Sequence, residues 1–216
     1  MTKSDEQRYN EIMETITKKI NIFTFDELSD SAKDTVRYSG IVGDFWVSEG
    51  WDSLKKWSEL LGFTYRDVEI ERFWVDSLEA TTVNEYHDVE LTGDRLRKWI
   101  INNHGWALTK GKYCSKQKYV DGKFTYKQRY SKIIMETNCP TGYCLDYDFI
   151  EPLLEFLNSW GTGKYATFEC VIMDCIRSWA KALYADIQSQ YEDEYLSDHC
   201  EANEYRFLED GTFYRG

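Results

Sequence analysis

The amino-acid sequence predicts an α+β protein in which helices pack on a small antiparallel sheet, with a basic central β-hairpin and a long C-terminal helix followed by a terminal hairpin. Three patterns predict this class. Apolar residues recur at three- and four-residue spacing through 166–191, as in a long helix with one buried face. The Tyr- and Lys-rich stretch 106–136 centres on Asp121-Gly122, which favours a two-residue hairpin turn. A second pair, Asp210-Gly211, predicts the terminal hairpin.

The other elements follow from capping, periodicity and turn signals. Ser4 to Gln7 has capping-box spacing ahead of an apolar stripe, which predicts an N-terminal helix within 1–20. A β-prone run at 22–25 leads to a helix capped by Ser29 or Ser31. We further expect a helix over 44–61 despite its internal Gly50, a strand over 68–75, a helix over 94–103 and a helix over 147–160.

Length and composition limit the architecture and exclude some classes of protein. The chain has 216 residues, 42% of them hydrophobic and 16% aromatic, which suits a packed core and excludes disorder. With no clear linker, we expect a single domain over 1–216, with 106–146 as a candidate projecting hairpin subdomain. No apolar run approaches the roughly 20 residues of a membrane helix. The first twenty residues do not resemble a secretory signal, so we expect a cytoplasmic protein.

Charge is distributed unevenly along the chain. The net charge is −12, which argues against attraction of the whole molecule to nucleic acid or to an anionic membrane. Between Arg95 and Lys132, however, eleven Lys or Arg stand against one acid, a local charge of +10. Between Tyr191 and Asp210, eight acids stand against one Arg, a local charge of −7. The two windows are separate candidates for partner binding.

The basic window has two interpretations. Its cations interleave with aromatic residues, which favours a surface that stacks on unpaired bases. Alternatively, it is a solvated hairpin whose aromatic side chains face inward. The candidates for contact with nucleic acid or another anionic partner are Lys110, Lys112, Lys116, Lys118, Lys123, Lys127, Arg129 and Lys132.

The acidic window also has two interpretations. In the first, its carboxylates mimic the charge of phosphates and occupy the basic groove of a nucleic-acid-binding protein. In the second, it is the solvated face of a helix. The candidates for contact with a protein partner are Glu192, Asp193, Glu194, Asp198, Glu201 and Glu204.

Reactive side chains are present, but no spacing is typical of a catalytic or metal site. Cys139, Cys144, Cys170, Cys175, His199 and Cys200 are candidate zinc ligands, yet their spacing differs from that of a zinc knuckle. Cys144 with His87 or His104 offers a thiol and a base, and Asp146 with Asp148 offers two carboxylates. Glycine-rich phosphate loops and nucleophile elbows are absent from the sequence. We therefore expect a non-enzymatic protein without metal or cofactor.

Several segments resemble those of a family of phage and prophage proteins, some of them labelled antitoxin of toxin-antitoxin stability system. The stretch FTFDELSDSAK at 23–33 resembles their opening, and YEDEYLSD at 191–198 with ANEYRFLEDG at 202–211 resembles their closing segment. CPTGYCLD at 139–146 is similar to a loop in some of them. His199 departs from the pattern, because an acid is expected there. The resemblance implies a phage or mobile-element origin and supplies no catalytic residues.

Two functions are compatible with these observations. The first is an inhibitor of the anti-CRISPR or antitoxin type that binds and blocks a host nuclease, or its complex with nucleic acid, through charge-complementary protein contacts. The alternative is direct binding of RNA or DNA by the basic, aromatic window at 95–132. Neither requires a membrane.

Overall fold

The computed structural model describes residues 19–43, 45–81, 91–108, 119–120, 123–124, 139–159, 161–162 and 165–215, and confirms the α+β class. The helices in this part of the chain are α1 (Asp30–Arg37), α2 (Phe45–Leu61), α3 (Gly93–Leu108), α4 (Leu145–Asn158), α5 (Phe168–Ser189) and α6 (Asp193–Ala202). The strands are β1 (Phe63–Glu69), β2 (Trp74–Ala80), β3 (Tyr119–Val120) and β4 (Lys123–Phe124). None of these helices is long and apolar enough to cross a bilayer.

The chain divides into two compact units. The chain-end unit combines 1–42 with 191–216, and the central unit comprises 43–190. Each unit has its own cluster of buried apolar residues. The predicted N-terminal helix lies outside the described residues, apart from its last two positions, which are not helical.

Helices α2 to α5 and the β1–β2 hairpin form the core of the central unit. The helix predicted over 166–191 corresponds to α5, which is capped by Thr167, whose hydroxyl accepts from the Cys170 amide at 3.2 Å. One face of α5 is buried, including Trp179, as the apolar spacing predicted. Trp57 of α2 stacks on Phe149 of α4 with ring centroids 5.4 Å apart. The predicted helices over 44–61 and 147–160 are therefore present and meet in this core.

Gly50 does not interrupt α2, because it lies where another helix comes close. A Cβ at this position would lie 3.0 Å from Leu183 of α5 and 3.1 Å from Leu145 of α4. Its carbonyl oxygen accepts from the indole Nε1 of Trp179 at 3.1 Å. The glycine thus permits close helix packing and a buried hydrogen bond, which offsets its low helix propensity.

The prediction of one continuous strand over 68–75 is wrong. This stretch contains the end of β1, a 3₁₀ turn at Ile70–Arg72 and the start of β2, and the two strands pair antiparallel with Glu69 opposite Trp74. Phe73 closes the turn in the left-handed region at φ 52°. Alternation continues through the turn in the sequence, and a phenylalanine is not a turn signal, so the pattern concealed the hairpin.

Helix α3 also differs from its predicted bounds. The sequence predicted an end at Asn102 to Gly105, but the helix continues to Leu108, which is fully buried. Burial of Leu108 in the core of the central unit outweighs the unfavourable helix propensity of Gly105. Of the central hairpin, the structure describes the pairing of β3 with β4, in which Tyr119 lies opposite Phe124.

Segments from both ends of the sequence pair in the chain-end unit. Phe23 and Phe207 exchange two backbone hydrogen bonds of 2.9 Å, and Phe207 also bridges Phe213. The amide of Tyr214 donates to the Arg206 carbonyl at 2.8 Å, which closes the predicted terminal hairpin around Gly211. The buried residues of this unit come from α1, α6 and the paired segments: Phe25, Leu28, Ala32, Val36, Leu196, Cys200 and Phe207.

Candidate partner-binding surface

Five of the six acidic candidates lie exposed on or beside α6 and form no ion pair with any described residue, and this acidic surface is the candidate site. Leu196 and Cys200 are buried and fix one face of the helix against the core. At 100° per residue, Glu194, Asp198 and Glu201 fall on the opposite face, and all three are exposed. They span about 10 Å along the helix axis. The helical part of the acidic window, α6, therefore has an outward carboxylate face.

Acidic residues at the start of α6 also stabilise the helix. Glu192 is the N-cap residue in extended conformation, and Asp193 and Glu194 occupy the first turn. No side chain caps the helix by a hydrogen bond, but carboxylates in this position interact favourably with the positive end of the helix dipole. Part of the acidic sequence is thus accounted for by helix formation alone. Asp198, Glu201 and Glu204 lie outside the first turn and have no such role.

Asp193 differs from the other acidic candidates because its carboxylate is paired with cations of α1. Its carboxylate forms an ion pair with Arg37 of α1 and a longer one, 3.6 Å, with Lys33. Within the described part of the chain, the other five acidic candidates form no ion pair: Glu192, Glu194, Asp198, Glu201 and Glu204. As far as the described residues go, the surface therefore has five carboxylates without an ion pair and one, Asp193, that is paired.

The C-terminal end of α6 places Glu204 in an unfavourable backbone conformation. The Tyr205 amide donates to the Cys200 carbonyl at 2.9 Å and the Glu204 amide to the Glu201 carbonyl at 3.0 Å, the two bonds of a Schellman motif. The left-handed position in this motif is usually glycine, but here it is Glu204 at φ 55°. A glutamate at this position has an energetic cost that the helix end itself does not explain.

The acidic surface belongs to a unit that is itself strongly negative. The described residues of the chain-end unit, 19–42 and 191–215, contain five Lys or Arg and twelve Asp or Glu, a net charge of −7 in 49 residues. The surrounding charge thus reinforces the potential of the α6 face.

The basic candidates lie almost entirely outside the described residues. Only Lys123 is described, at the start of β4 and in its backbone alone. The seven outside are Lys110, Lys112, Lys116, Lys118, Lys127, Arg129 and Lys132. At the start of the basic window, Arg95 and Lys98 are exposed on α3.

Arg97, counted in the basic window, is a buried structural residue. Its guanidinium donates to the Phe156 carbonyl at 2.7 Å, to the Ser159 hydroxyl at 2.6 Å and to the Asp94 carboxylate at 2.7 Å. It also lies 4.4 Å above the Phe156 ring. Arg97 thereby joins α3 to the C-terminal end of α4 and does not add to the surface charge.

The cysteines do not form a metal centre in the described part of the chain, where no group of three or more His, Cys, Asp or Glu is placed to hold an ion. Cys175 and Cys200 are buried, in the central and the chain-end unit respectively. Burial raises the pKa of Cys200 to about 11 and also raises that of Cys175. Thiols with raised pKa values are weak nucleophiles at neutral pH.

The described members of the candidate thiol–imidazole and carboxylate pairs take part in packing and hydrogen bonding within the fold. The His104 ring stacks on Phe168 and contacts Trp99 at an interplanar angle of 59°, and burial lowers its pKa. Burial and the nearby Asp186 carboxylate raise the pKa of Cys144, and His87 lies outside the described residues. Asp146 is fully buried and accepts four hydrogen bonds from Ser53, Thr141 and Gly142, so it fixes the loop before α4.

An exposed pair of tyrosines next to the acidic surface was not singled out from the sequence. Tyr38 follows the last residue of α1, and Tyr191 precedes Glu192 at the start of α6. Their ring centroids lie 6.4 Å apart. Nothing in the sequence relates two residues 153 positions apart, so only the folded chain-end unit reveals the pair.

Comparison of the chain with protein-family models, curated proteins and solved structures finds no match.

Proposed function

We propose that the acidic surface of α6 binds a basic groove on a nucleic-acid-handling protein and competes there with nucleic acid. The observation that carries this proposal is the exposed set of carboxylates on α6 that no cation of the described chain neutralises. In this function the protein is a binding protein and not an enzyme.

The geometry of α6 supports the proposal in two ways. Three carboxylates over about 10 Å give one charge per roughly 5 Å, of the same order as the one per 3.4 Å of a DNA strand. The helix is also fixed by Leu196 and Cys200 in the core, so its charges are held in place before binding. A preorganised charged face gains on-rate and specificity from complementary charge on a partner.

The phage resemblance extends the proposal to a biological role. It leads us to place the protein among the cytoplasmic inhibitors of host defence, of the anti-CRISPR or antitoxin type, with a host nuclease or its guide complex as the partner. The glutamate at position 204 fits such a role, because it adds a carboxylate where the backbone favours glycine.

The test compares two variants with the same change in charge. Tagged wild-type protein is used to capture partners from host lysate at low and at high salt, and the captured proteins are identified by mass spectrometry. The α6 variant is Glu194→Lys, Asp198→Lys and Glu201→Lys. The control variant is Glu79→Lys, Glu155→Lys and Glu169→Lys, which reverses three exposed acids of the central unit.

We expect the wild type and the control to capture a nucleic-acid-binding protein in a salt-sensitive way, and the α6 variant to lose it. Salt sensitivity follows from screening over about 8 Å at physiological ionic strength. Equal loss in both variants would reduce the interaction to overall charge and refute a specific role of α6. Capture of no nucleic-acid-binding protein by the wild type would contradict the proposal itself.

A further inference from the structure

The exposed tyrosine pair beside the acidic surface has a composition suited to recognition. Tyr38 is 79% exposed and Tyr191 is 39% exposed, although both are large aromatic residues. Their rings are 6.4 Å apart and inclined by 31°, so they form one continuous aromatic patch with an outward face. Tyrosine is enriched at protein interfaces because it presents a large rigid area at little entropic cost.

Carboxylates outnumber cations around this patch. Arg37 donates from Nε to the Tyr191 carbonyl at 2.9 Å and pairs with Asp34 and Asp193, and Lys33 also pairs with Asp193. These contacts leave two cations matched by two acids. Glu192 and Glu194 follow Tyr191 in the chain at the start of α6, are exposed, and form no ion pair within the described ranges. The aromatic patch is thus followed directly in the chain by carboxylates that no described cation neutralises.

We propose that the patch formed by Tyr38 and Tyr191 receives an arginine side chain of the basic partner. This inference rests on the proposed function and identifies the chemistry that the same surface recognises. A guanidinium is planar and weakly hydrated, so it stacks on a tyrosine face while it donates to a carboxylate. Glu192 and Glu194 are the acceptors. An ammonium is more strongly hydrated and stacks less well.

The test uses two synthetic peptides of equal charge, deca-arginine and deca-lysine, each labelled with a fluorophore. Binding to the full chain is measured by fluorescence anisotropy at low salt. The variants are Tyr38→Leu with Tyr191→Leu, which removes the rings, and Tyr38→Phe with Tyr191→Phe, which keeps them. Tyr165→Leu is the control, because Tyr165 is 80% exposed in the central unit.

We expect the wild type to bind deca-arginine more tightly than deca-lysine, and the leucine variant to lose about two- to five-fold of affinity for deca-arginine alone. The phenylalanine and Tyr165→Leu variants keep the preference. Circular dichroism verifies that each variant is folded.

An unchanged arginine preference in a folded leucine variant overturns the inference. If instead the Glu194→Lys, Asp198→Lys, Glu201→Lys variant binds both peptides as the wild type does, the proposed function fails as well.

Discussion

The guanidinium Nε of Arg37 donates to the carbonyl oxygen of Tyr191 at 2.9 Å, and thereby connects the end of α1 to a segment 154 residues later. The same side chain pairs with Asp34 and Asp193. One side chain therefore stabilises the association of the two ends of the chain.

Replacement of Arg37 by alanine is expected to destabilise the chain-end unit by about 1–2 kcal/mol, because one charged hydrogen bond to a backbone carbonyl and two ion pairs are lost together. Hydrogen exchange of the Phe23 and Phe207 amides, which bond across the two segments, should accelerate about 5- to 30-fold. The control is Arg72→Ala, whose side chain is 78% exposed and pairs with Glu69 at 3.5 Å. That change should alter the stability by less than about 0.5 kcal/mol. Equal effects of the two replacements would contradict a special role for Arg37.

Local signals in the sequence predicted the elements that depend on local chemistry. Ser29 caps α1, accepting from the Ala32 amide at 3.4 Å, and the apolar spacing located the buried face of α5. Helix bounds were less accurate where tertiary packing decides them, as at the end of α3, where burial of Leu108 extends the helix past Gly105.

Long-range contacts were not predictable in this way. The pairing of Phe23 with Phe207, which creates a second unit from the two ends of the chain, has no local signal. From composition alone Arg97 is one of the surface cations of the basic window. In the folded protein it is bonded to Phe156 and Ser159, which lie about sixty residues later in the chain. Of the acidic candidates, Asp193 pairs with Arg37, a long-range contact that no local pattern indicates. For the part of the chain that the structure describes, tertiary structure thus decides which exposed carboxylates carry an ion pair.

Glycine at position 204 should stabilise the protein. Glu204 occupies the left-handed position of a Schellman motif at φ 55°, where a Cβ is unfavourable. We expect Glu204→Gly to raise the free energy of unfolding by up to about 1 kcal/mol, reduced somewhat by the larger entropy of glycine in the unfolded chain. Urea titration followed by circular dichroism measures the change.

The control for this prediction is Glu201→Gly within α6. It removes the same charge, but glycine in a helix costs about 1 kcal/mol relative to good helix formers. The two replacements should therefore change stability in opposite directions. A loss of stability on Glu204→Gly would show that the glutamate side chain contributes to the fold.

The buried carboxylate of Asp146 should be among the most sensitive positions of the central unit. It accepts from the Ser53 hydroxyl at 2.6 Å and from the Thr141 and Gly142 amides at 2.9 and 3.0 Å. Asp146→Ala leaves the buried Ser53 hydroxyl without its acceptor, removes the bonds that hold the Thr141 and Gly142 amides of the exposed loop, and is expected to cost about 3 kcal/mol. Asp146→Asn keeps the shape of the side chain and one acceptor oxygen, so we expect a loss of about 1–2 kcal/mol in the free energy of unfolding.

Tryptophan fluorescence during urea unfolding reports on this unit, because all eight tryptophans lie within 43–190. A loss with alanine no larger than with asparagine would mean that the donors find other acceptors.

The cysteines should differ in reactivity towards iodoacetamide. Cys170 is exposed, whereas Cys200 is buried and burial raises its pKa from 9.0 to about 11. At pH 8 this shift alone lowers the thiolate fraction of Cys200 roughly a hundredfold. Peptide mapping by mass spectrometry should find Cys170 labelled first, and Cys175 and Cys200 labelled only after unfolding in urea. Equal labelling of Cys170 and Cys200 in the native protein would refute the buried position of Cys200.

The raised pKa of Cys200 also predicts a dependence of stability on alkaline pH. Because the folded state holds the thiol proton more tightly than the unfolded state, the contribution of this group is fully present below about pH 9 and is lost as the pH rises towards about 11. Other groups, including tyrosines and lysines, titrate in the same range. The informative quantity is therefore the difference between the wild type and Cys200→Ala. The wild type should lose more stability than the variant between pH 8.5 and 11, as measured by urea unfolding with circular dichroism. Parallel curves for the two proteins would mean that Cys200 ionises equally easily in the folded and unfolded states.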